Sequence, residues 1–254
     1  MPIALITDFG TRDYYAGAMK GVILSIDANA VVVDITHDIE PQNVSAAAFI
    51  LAACFRNYPA GTVFVCVVDP GVGSARRKII AESNDCIFVG PDNGIFSFVL
   101  NEASIITSIE NEKYFNHPVS STFHGRDIFA PIAAHLSRGV KPSEFGCQIT
   151  DPVVLPPIGP ERADQNTVLG RVLHIDRFGN IVTNITSEIW AGTVQLILNG
   201  RSVTERREFY AGAGPGQPFA LVGSAGFVEI SINGGSAAEL FGARVRSQVT
   251  ARLA

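Results

Sequence analysis

The sequence predicts an α/β protein: an N-terminal, mostly parallel sheet flanked by helices, followed by a smaller antiparallel β-barrel or sandwich. Three observations predict it. Over the first 150 residues short apolar runs alternate with helical periods, the order that builds parallel sheets with right-handed crossovers. The segment Asp151 to Pro160 then holds four prolines in ten residues and cannot be helical. Beyond it only short β-rich runs and turn dipeptides remain, with no long helical period. The chain therefore divides into an N-terminal domain 1–150, a Pro-rich linker 151–165 and a C-terminal domain 166–254.

Each element has its own signal. Ile3 to Ile6 is an apolar strand ended by Asp8-Phe9-Gly10, and with no basic leader or cleavage site beside it the N-terminus reads as structure. From Tyr14 to Ile26, apolar residues at Ala18, Val22 and Ile26 and at Met19 and Ile23 have helical spacing. Val31 to Ile35 reads as a second buried strand. A helix from Asn43 to Phe55 is entered through Pro41 and capped by Asn43. Thr62 to Val68 is the third strand, apolar from Val63 onward, as expected where helices cover both sheet faces. Lys78 to Ala81 and Cys86 to Val89 read as strands, and Ile128 to Leu136 as a helix opened by Arg126-Asp127. In the C-terminal part the strand runs are Gly170 to Ile175, Ile181 to Ile185, Thr193 to Leu198, Phe219 to Val222, Phe227 to Ile232 and Ala243 to Val249. Asn199-Gly200 and Asn233-Gly234 are hairpin signals.

Composition excludes several classes of function. The 254 residues are 47% hydrophobic and 17% charged, enough apolar material for a large core. With 19 Lys+Arg scattered against 24 Asp+Glu and a net charge of −5, no basic block offers a nucleic-acid surface. No apolar stretch reaches the roughly 20 residues of a membrane helix. Cys54, Cys66, Cys86 and Cys147 lack C-x-x-C spacing and read as buried free thiols of a cytoplasmic protein.

The chemistry-bearing residues fall on loops. Asp69 ends the third strand and starts Asp69-Pro70-Gly71-Val72-Gly73, with Arg76-Arg77 close behind. The carboxyl ends of such strands are where open α/β sheets place ligands, and glycines there admit close backbone approach. Further on come Gly90-Pro91-Asp92-Asn93-Gly94 and Thr122-Phe123-His124-Gly125-Arg126-Asp127. A carboxylate, a guanidinium and an imidazole in one crevice would form a catalytic constellation. His37 follows the second strand and reads as a residue behind the same crevice, while His117, His135 and His174 carry no partner pattern.

Together with Ile6-Thr7-Asp8-Phe9-Gly10, Asp176-Arg177-Phe178-Gly179-Asn180 and Gly223-Ser224-Ala225-Gly226-Phe227, these motifs resemble the adenosine-forming S-adenosylmethionine hydrolases, also called SAM hydroxide adenosyltransferases. These are relatives of the adenosyl-fluoride and adenosyl-chloride synthases. Six motifs in order over nearly the whole chain carry the resemblance. It implies an in-line displacement in which an oxygen derived from water attacks ribose C5′ and methionine leaves as a neutral thioether, with neither metal nor cofactor. It implies that Asp69, Arg76 and His124 hold the nucleophile. Residue chemistry adds roles to these three. Arg76 would favour a hydroxide-like water, and Asp69 would accept a hydrogen bond from it and from Arg76. His124, neutral near pH 7, is the first candidate to take the proton, a choice the sequence leaves open among the three. Asp8 would bind the ribose hydroxyls, with Asn93 a further pocket residue. Phe178 and Asn180 would contact adenine, Asp176 the substrate ammonium and Ser224 its carboxylate. The resemblance also implies a homotrimer with substrate between neighbouring subunits.

Within this group the residues favour hydrolysis. Halide-using relatives carry a non-acid where Asp69 stands and a tyrosine followed by serine or glycine where His124-Gly125 stands. The fluoride enzyme also has an insertion where only Lys78 to Val89 lies here. A negative Asp69 would repel a halide, although Gly125 suits either branch. Two other classes are a metal-dependent phosphoesterase with Asp8, Asp69, Asp92 and His124 as ligands, and a non-catalytic binder of S-adenosylmethionine or adenosine.

Overall fold

The computed structural model describes residues 1–254, which divide into two compact units, Met1–Pro156 and Pro157–Ala254. Unit 1 runs β1 (Ile3–Thr7), α1 (Tyr15–Ile26), β2 (Val32–Thr36), α2 (Val44–Cys54), β3 (Val63–Val67), β4 (Lys78–Ser83), β5 (Cys86–Pro91), β6 (Ile105–Ser108), α3 (Ala130–Ser137) and β7 (Gln148–Ile149). Its seven strands lie in the order β2-β1-β3-β5-β4-β6-β7. The first four in that order are mutually parallel, and β4, β6 and β7 extend the sheet by antiparallel pairing.

The two-residue period of a strand explains how this sheet is covered. Ile3, Leu5, Val63, Val65 and Val67 point to one face and pack with Met19 and Ile23 of α1 and Ile132, Ala133 and Leu136 of α3. Ala4, Ile6, Phe64, Cys66 and Val68 point to the other and pack with Ala47 and Leu51 of α2. Both faces of β1 and β3 are therefore apolar, as continuous hydrophobic runs require. Asn43 caps α2 as expected, its Oδ1 accepting from Ala46 N at 3.0 Å. Two sequence readings are corrected. β2 is not a buried strand: it forms the sheet edge, and Val31 and Val33 are exposed, because an apolar run marks a strand without saying whether a neighbour covers it. Cys147 is exposed, unlike Cys66 and Cys86.

Residues 151–155, which the sequence reads as the start of the linker, belong to unit 1 and are bonded to it: Val153 N donates to Asp92 Oδ1 (2.8 Å) and Leu155 N to Ser97 Oγ (2.7 Å). Unit 2 contains β8 (Glu161–Asp164), β9 (Thr167–Ile175), β10 (Ile181–Thr186), α4 (Ser187–Gly192), β11 (Thr193–Leu198), β12 (Arg201–Val203), β13 (Pro218–Val222), β14 (Phe227–Ile232), α5 (Ala237–Phe241) and β15 (Gln248–Leu253). The order β12-β11-β15-β9-β10-β14-β13, with β8 on β9, is antiparallel throughout. A bridge between Arg206 and Ala220 brings the two ends close to closure, giving a barrel-like sheet around Val172, Ile181, Leu196, Ile230 and Val249. Asn199-Gly200 joins β11 to β12 as a hairpin. Asn233-Gly234 turns the chain into α5 instead of a second strand, and the last strand starts at Gln248, not Ala243. Gly242 (φ 57°) stops α5 in the left-handed conformation, and a turn to Ser247 follows.

Candidate active site

Asp69 follows the carboxyl end of β3, and the loop behind it is folded by short local bonds. Val72 N donates to Asp69 O, Ser74 Oγ to Gly71 O (2.7 Å), and Arg76 N to Ser74 Oγ (3.2 Å). Gly73 (φ 78°) is the pivot. A Cβ there would lie 2.2 Å from Ser121 O, so only glycine lets this loop rest against the segment that leads to His124. His124 itself immediately precedes a π-turn, Gly125–Phe129, that leads into α3. Such bulges are common at functional sites.

The three expected residues meet. Arg76 Nε donates to Asp69 Oδ1 (2.8 Å), Arg76 Nη2 donates to Asp69 Oδ2, and Nη2 also donates to His124 Nδ1 (2.9 Å). Nη1 reaches Arg77 O at 3.3 Å, and the guanidinium sits 5.4 Å from the centre of the Phe129 ring. The Arg76 and Asp69 side chains are only 11% and 5% exposed, so each partner is the other's main solvation. Removing one member of such a pair costs about 3–5 kcal/mol, against roughly 0–1 for an exposed pair such as Lys113–Glu144. Burial, and then the Arg76 cation, hold the His124 imidazole below its ordinary pKa; Lys78 acts in the same direction and Asp69 and Asp127 oppose it. Half-buried Lys78 places its ammonium 5.9 Å from the Phe115 ring centre, and burial and Arg76 lower its pKa.

The other residues of unit 1 take varied positions. Asp8 stands just past β1, its Oδ2 accepting from Gln42 N at 2.8 Å. Asn93 donates from Nδ2 to Val68 O (2.9 Å) and accepts at Oδ1 from Ile95 N (3.2 Å), tying its turn to the residue before Asp69. His37 is buried, with Nδ1 2.9 Å from Thr7 Oγ1 and Nε2 3.1 Å from Asp34 Oδ1. It braces strand ends. Asp69 and Asp92, two ligands of the phosphoesterase reading, pair with different arginines, Arg76 and Arg77, and no three His, Cys, Asp or Glu side chains are grouped to hold a metal ion.

Unit 2 carries a second constellation. Asp176 closes a turn: Oδ1 accepts from Phe178 N (2.9 Å) and Asn180 N (2.8 Å), and Oδ2 accepts from Asn180 Nδ2 (2.8 Å). This leaves the Phe178 ring 77% exposed beside a cavity of about 550 Å³ lined by Asp176, Phe178, Asn180, Tyr210, Ile232 and Asn233. That size suits a small ligand. Tyr210 was missed in the sequence; its one signal is an aromatic pair, Phe209-Tyr210, in a Gly-rich loop. Its hydroxyl donates to buried Glu229 Oε2 at 2.8 Å, and burial, followed by the Glu229 carboxylate, pushes the phenol up to about 12. Ser224 is exposed on the turn joining β13 and β14 and does not line this cavity.

Comparison with known proteins gives these constellations a context. Residues 3–146 match the SAM hydroxide adenosyltransferase N-terminal domain, and residues 170–250 its C-terminal domain. The chain is similar to a (R)-S-adenosyl-L-methionine hydrolase from Thermus thermophilus, 37% identical over 95% of each chain. A fluorinase from an Actinoplanes species is more distant, 29% identical over 72% of this chain and 71% of its own. An uncharacterized conserved protein of known structure from Thermotoga maritima superposes with a TM-score of 0.91 at 32% identity, covering 98% of this chain and 99% of that one.

Proposed function

Because the chain belongs to the SAM hydroxide adenosyltransferase family, we propose that it hydrolyses S-adenosyl-L-methionine to adenosine and L-methionine, with Asp69, Arg76 and His124 holding the attacking water. The joined Asp69–Arg76–His124 cluster is the observation that carries the reading. The oxygen forms a bond to ribose C5′, the C5′–S bond breaks, and its electron pair neutralises the sulfonium. A sulfonium is a good leaving group, so no acid, metal or cofactor enters this reading. The protein's work is alignment and exclusion of competing water, and positioning of this kind can supply roughly 7–11 kcal/mol of a barrier.

Hydrogen-bond directions refine the roles. A guanidinium has donors only, so the lone pair of His124 Nδ1 is spent on Arg76. Neutral His124 then carries its proton on Nε2 and offers the water a donor, not a base. The remaining lone pairs of Asp69 take the water's proton as the O–C5′ bond forms. Asp69 is neutralised by Arg76 on both oxygens, so discrimination against a halide rests on this need for a nucleophile that can donate, more than on the repulsion expected of a free carboxylate. Asp8 binds the ribose hydroxyls and Asn93 supports the nucleophile loop. In unit 2, Phe178 and Asn180 receive adenine, Asp176 the ammonium and Ser224 the carboxylate, within a homotrimer whose sites draw on neighbouring subunits. The substrate isomer is the (R)-sulfonium named for the Thermus relative. Four unpaired thiols support a reducing, cytoplasmic setting.

The test is incubation with S-adenosylmethionine in oxygen-18 water, with and without a chelator, beside Asp69→Ala. Labelled adenosine in equal amount to methionine, unaffected by the chelator and lost in the variant, is expected. No adenosine above the variant's background would leave the binder reading standing, and a halide-dependent adenosyl product would favour the synthase.

A further inference from the structure

Arg77, and Asp92 of the Gly90–Gly94 turn, are left without a task by the reaction above, yet both are extensively hydrogen-bonded beside it. Arg77 Nε donates to Asp92 Oδ2 (2.8 Å), Nη1 to Asp151 Oδ1 (2.7 Å) and Nη2 to Asp151 O (2.5 Å). The Asp92 side chain is 1% exposed, and its second oxygen accepts from Val153 N. Arg77 O accepts from Asp92 N (3.0 Å) and also from Arg76 Nη1 (3.3 Å). On the far side of the turn, Asn93 grips Val68 O, one residue before Asp69. A Cβ on Gly94 would come within 2.8 Å of Leu155, so the turn and the 151–155 strap fit closely. One continuous network thus holds both ends of the Asp69–Arg76 loop.

We propose that Arg77 is a positioning residue: by clamping Asp92 and Asp151 it fixes the backbone carbonyl on which Arg76 rests and the turn that supports Asp69, and so sets the geometry of the nucleophile site. The inference deepens the hydrolase reading and rests on it for its kinetic consequence, but its structural consequence is separate. A half-exposed arginine engaged only in surface pairing would contribute little to stability and nothing to turnover. An arginine that fixes a reacting geometry acts on kcat instead, since a misplacement of about 1 Å can cost 10²-fold. The ribose and adenine contacts lie on other residues, so KM is spared.

The experiment compares wild type with Arg77→Gln and Arg77→Lys. It reads kcat and KM per folded enzyme, with folding checked by circular dichroism, and follows the His124 ring through a pH titration by NMR. Expected are a kcat lower by about 10- to 100-fold in Arg77→Gln with KM within about twofold, and an upward move of the His124 titration, because a displaced Arg76 no longer holds the imidazole down. The other charges acting on His124, from Asp69, Lys78 and Asp127, remain. Arg77→Lys keeps the charge and loses the fork, so it should fall with Arg77→Gln. Should both variants keep wild-type kcat and an unmoved His124 titration, or lose only stability, the proposal is overturned. If wild type forms no adenosine the hydrolase reading falls, and the titration alone decides whether Arg77 sets this geometry.

Discussion

A guanidinium cannot accept a hydrogen bond, and this single fact constrains His124. With Nδ1 facing Arg76 Nη2, a neutral ring has its proton on Nε2. A glutamine can reproduce that pattern, its Oε1 accepting from Arg76 and its Nε2 donating to the water. His124→Gln should therefore retain at least about tenfold more turnover than His124→Ala, whereas a general base would lose about 10²-fold or more in both variants. Steady-state rates of adenosine release distinguish the two. The pH dependence is also set here. Burial and the Arg76 cation lower the His124 pKa, so the neutral form predominates above about 6.5 and is lost as pH falls through the lower folded value. The acid limb of kcat/KM should lie below about 6.5, and a limb at or above that value would remove His124 from the site. Stability has the same sign, because the unfolded chain binds this proton first: His124 contributes above about 6.5, and that contribution is lost as pH falls. The sequence proposes Asp69, Arg76 and His124 as one group, and the structure brings the three side chains together; the direction of their hydrogen bonds was not legible, since it depends on which ring nitrogen the fold turns toward Arg76.

At the level of elements, strand and helix periods were read correctly wherever apolar spacing is strong, as in β1, α1, α2 and β3. They failed where burial or termination depends on a neighbour. Val33 is apolar and yet exposed on an edge, and Ala243 to Ser247 alternates like a strand, which masks the helix-ending glycine before it, Gly242. The π-turn after His124 was likewise invisible, since its sequence reads as an ordinary helix start. Gly73 is the element-scale residue with a sharp consequence. Gly73→Ala adds a Cβ 2.2 Å from Ser121 O at positive φ, whereas Gly139→Ala meets positive φ with nothing within 4 Å. Both should lose at least about 1 kcal/mol in urea denaturation from strain. Only Gly73→Ala should lower kcat as well, because its loop must retreat from the His124 segment. Equal kinetic behaviour of the two would show that the close approach is unimportant.

For the whole molecule, the division of labour between two units is the main feature. Unit 1 carries the Asp69–Arg76–His124 cluster, and unit 2 carries the Asp176–Phe178–Asn180 cavity. In the proposed trimer each site takes one constellation from each of two neighbours, a heterologous ring. Mixing inactive Asp69→Ala with inactive Phe178→Ala, after dissociation and reassembly, should then restore roughly a quarter of wild-type activity, because random pairing makes that share of sites intact. Mixtures as inactive as their components would place both constellations in one subunit or remove one of them from the site. Light scattering of the unmixed protein should give three times the 27.1 kDa chain mass.

Local covalent sequence determined the strands, the helices, the order of the two units and the residue types of the site, because these follow from periodicity, turn chemistry and motif spacing along the chain. Folding in three dimensions determined the rest. It put Arg76 between Asp69 and a histidine 48 residues further on, made the Gly90–Gly94 turn a brace, and set Tyr210 in a cavity wall with its hydroxyl held by buried Glu229. Those relations join residues distant in sequence, and their strength comes from burial and mutual hydrogen bonding, which no single segment contains.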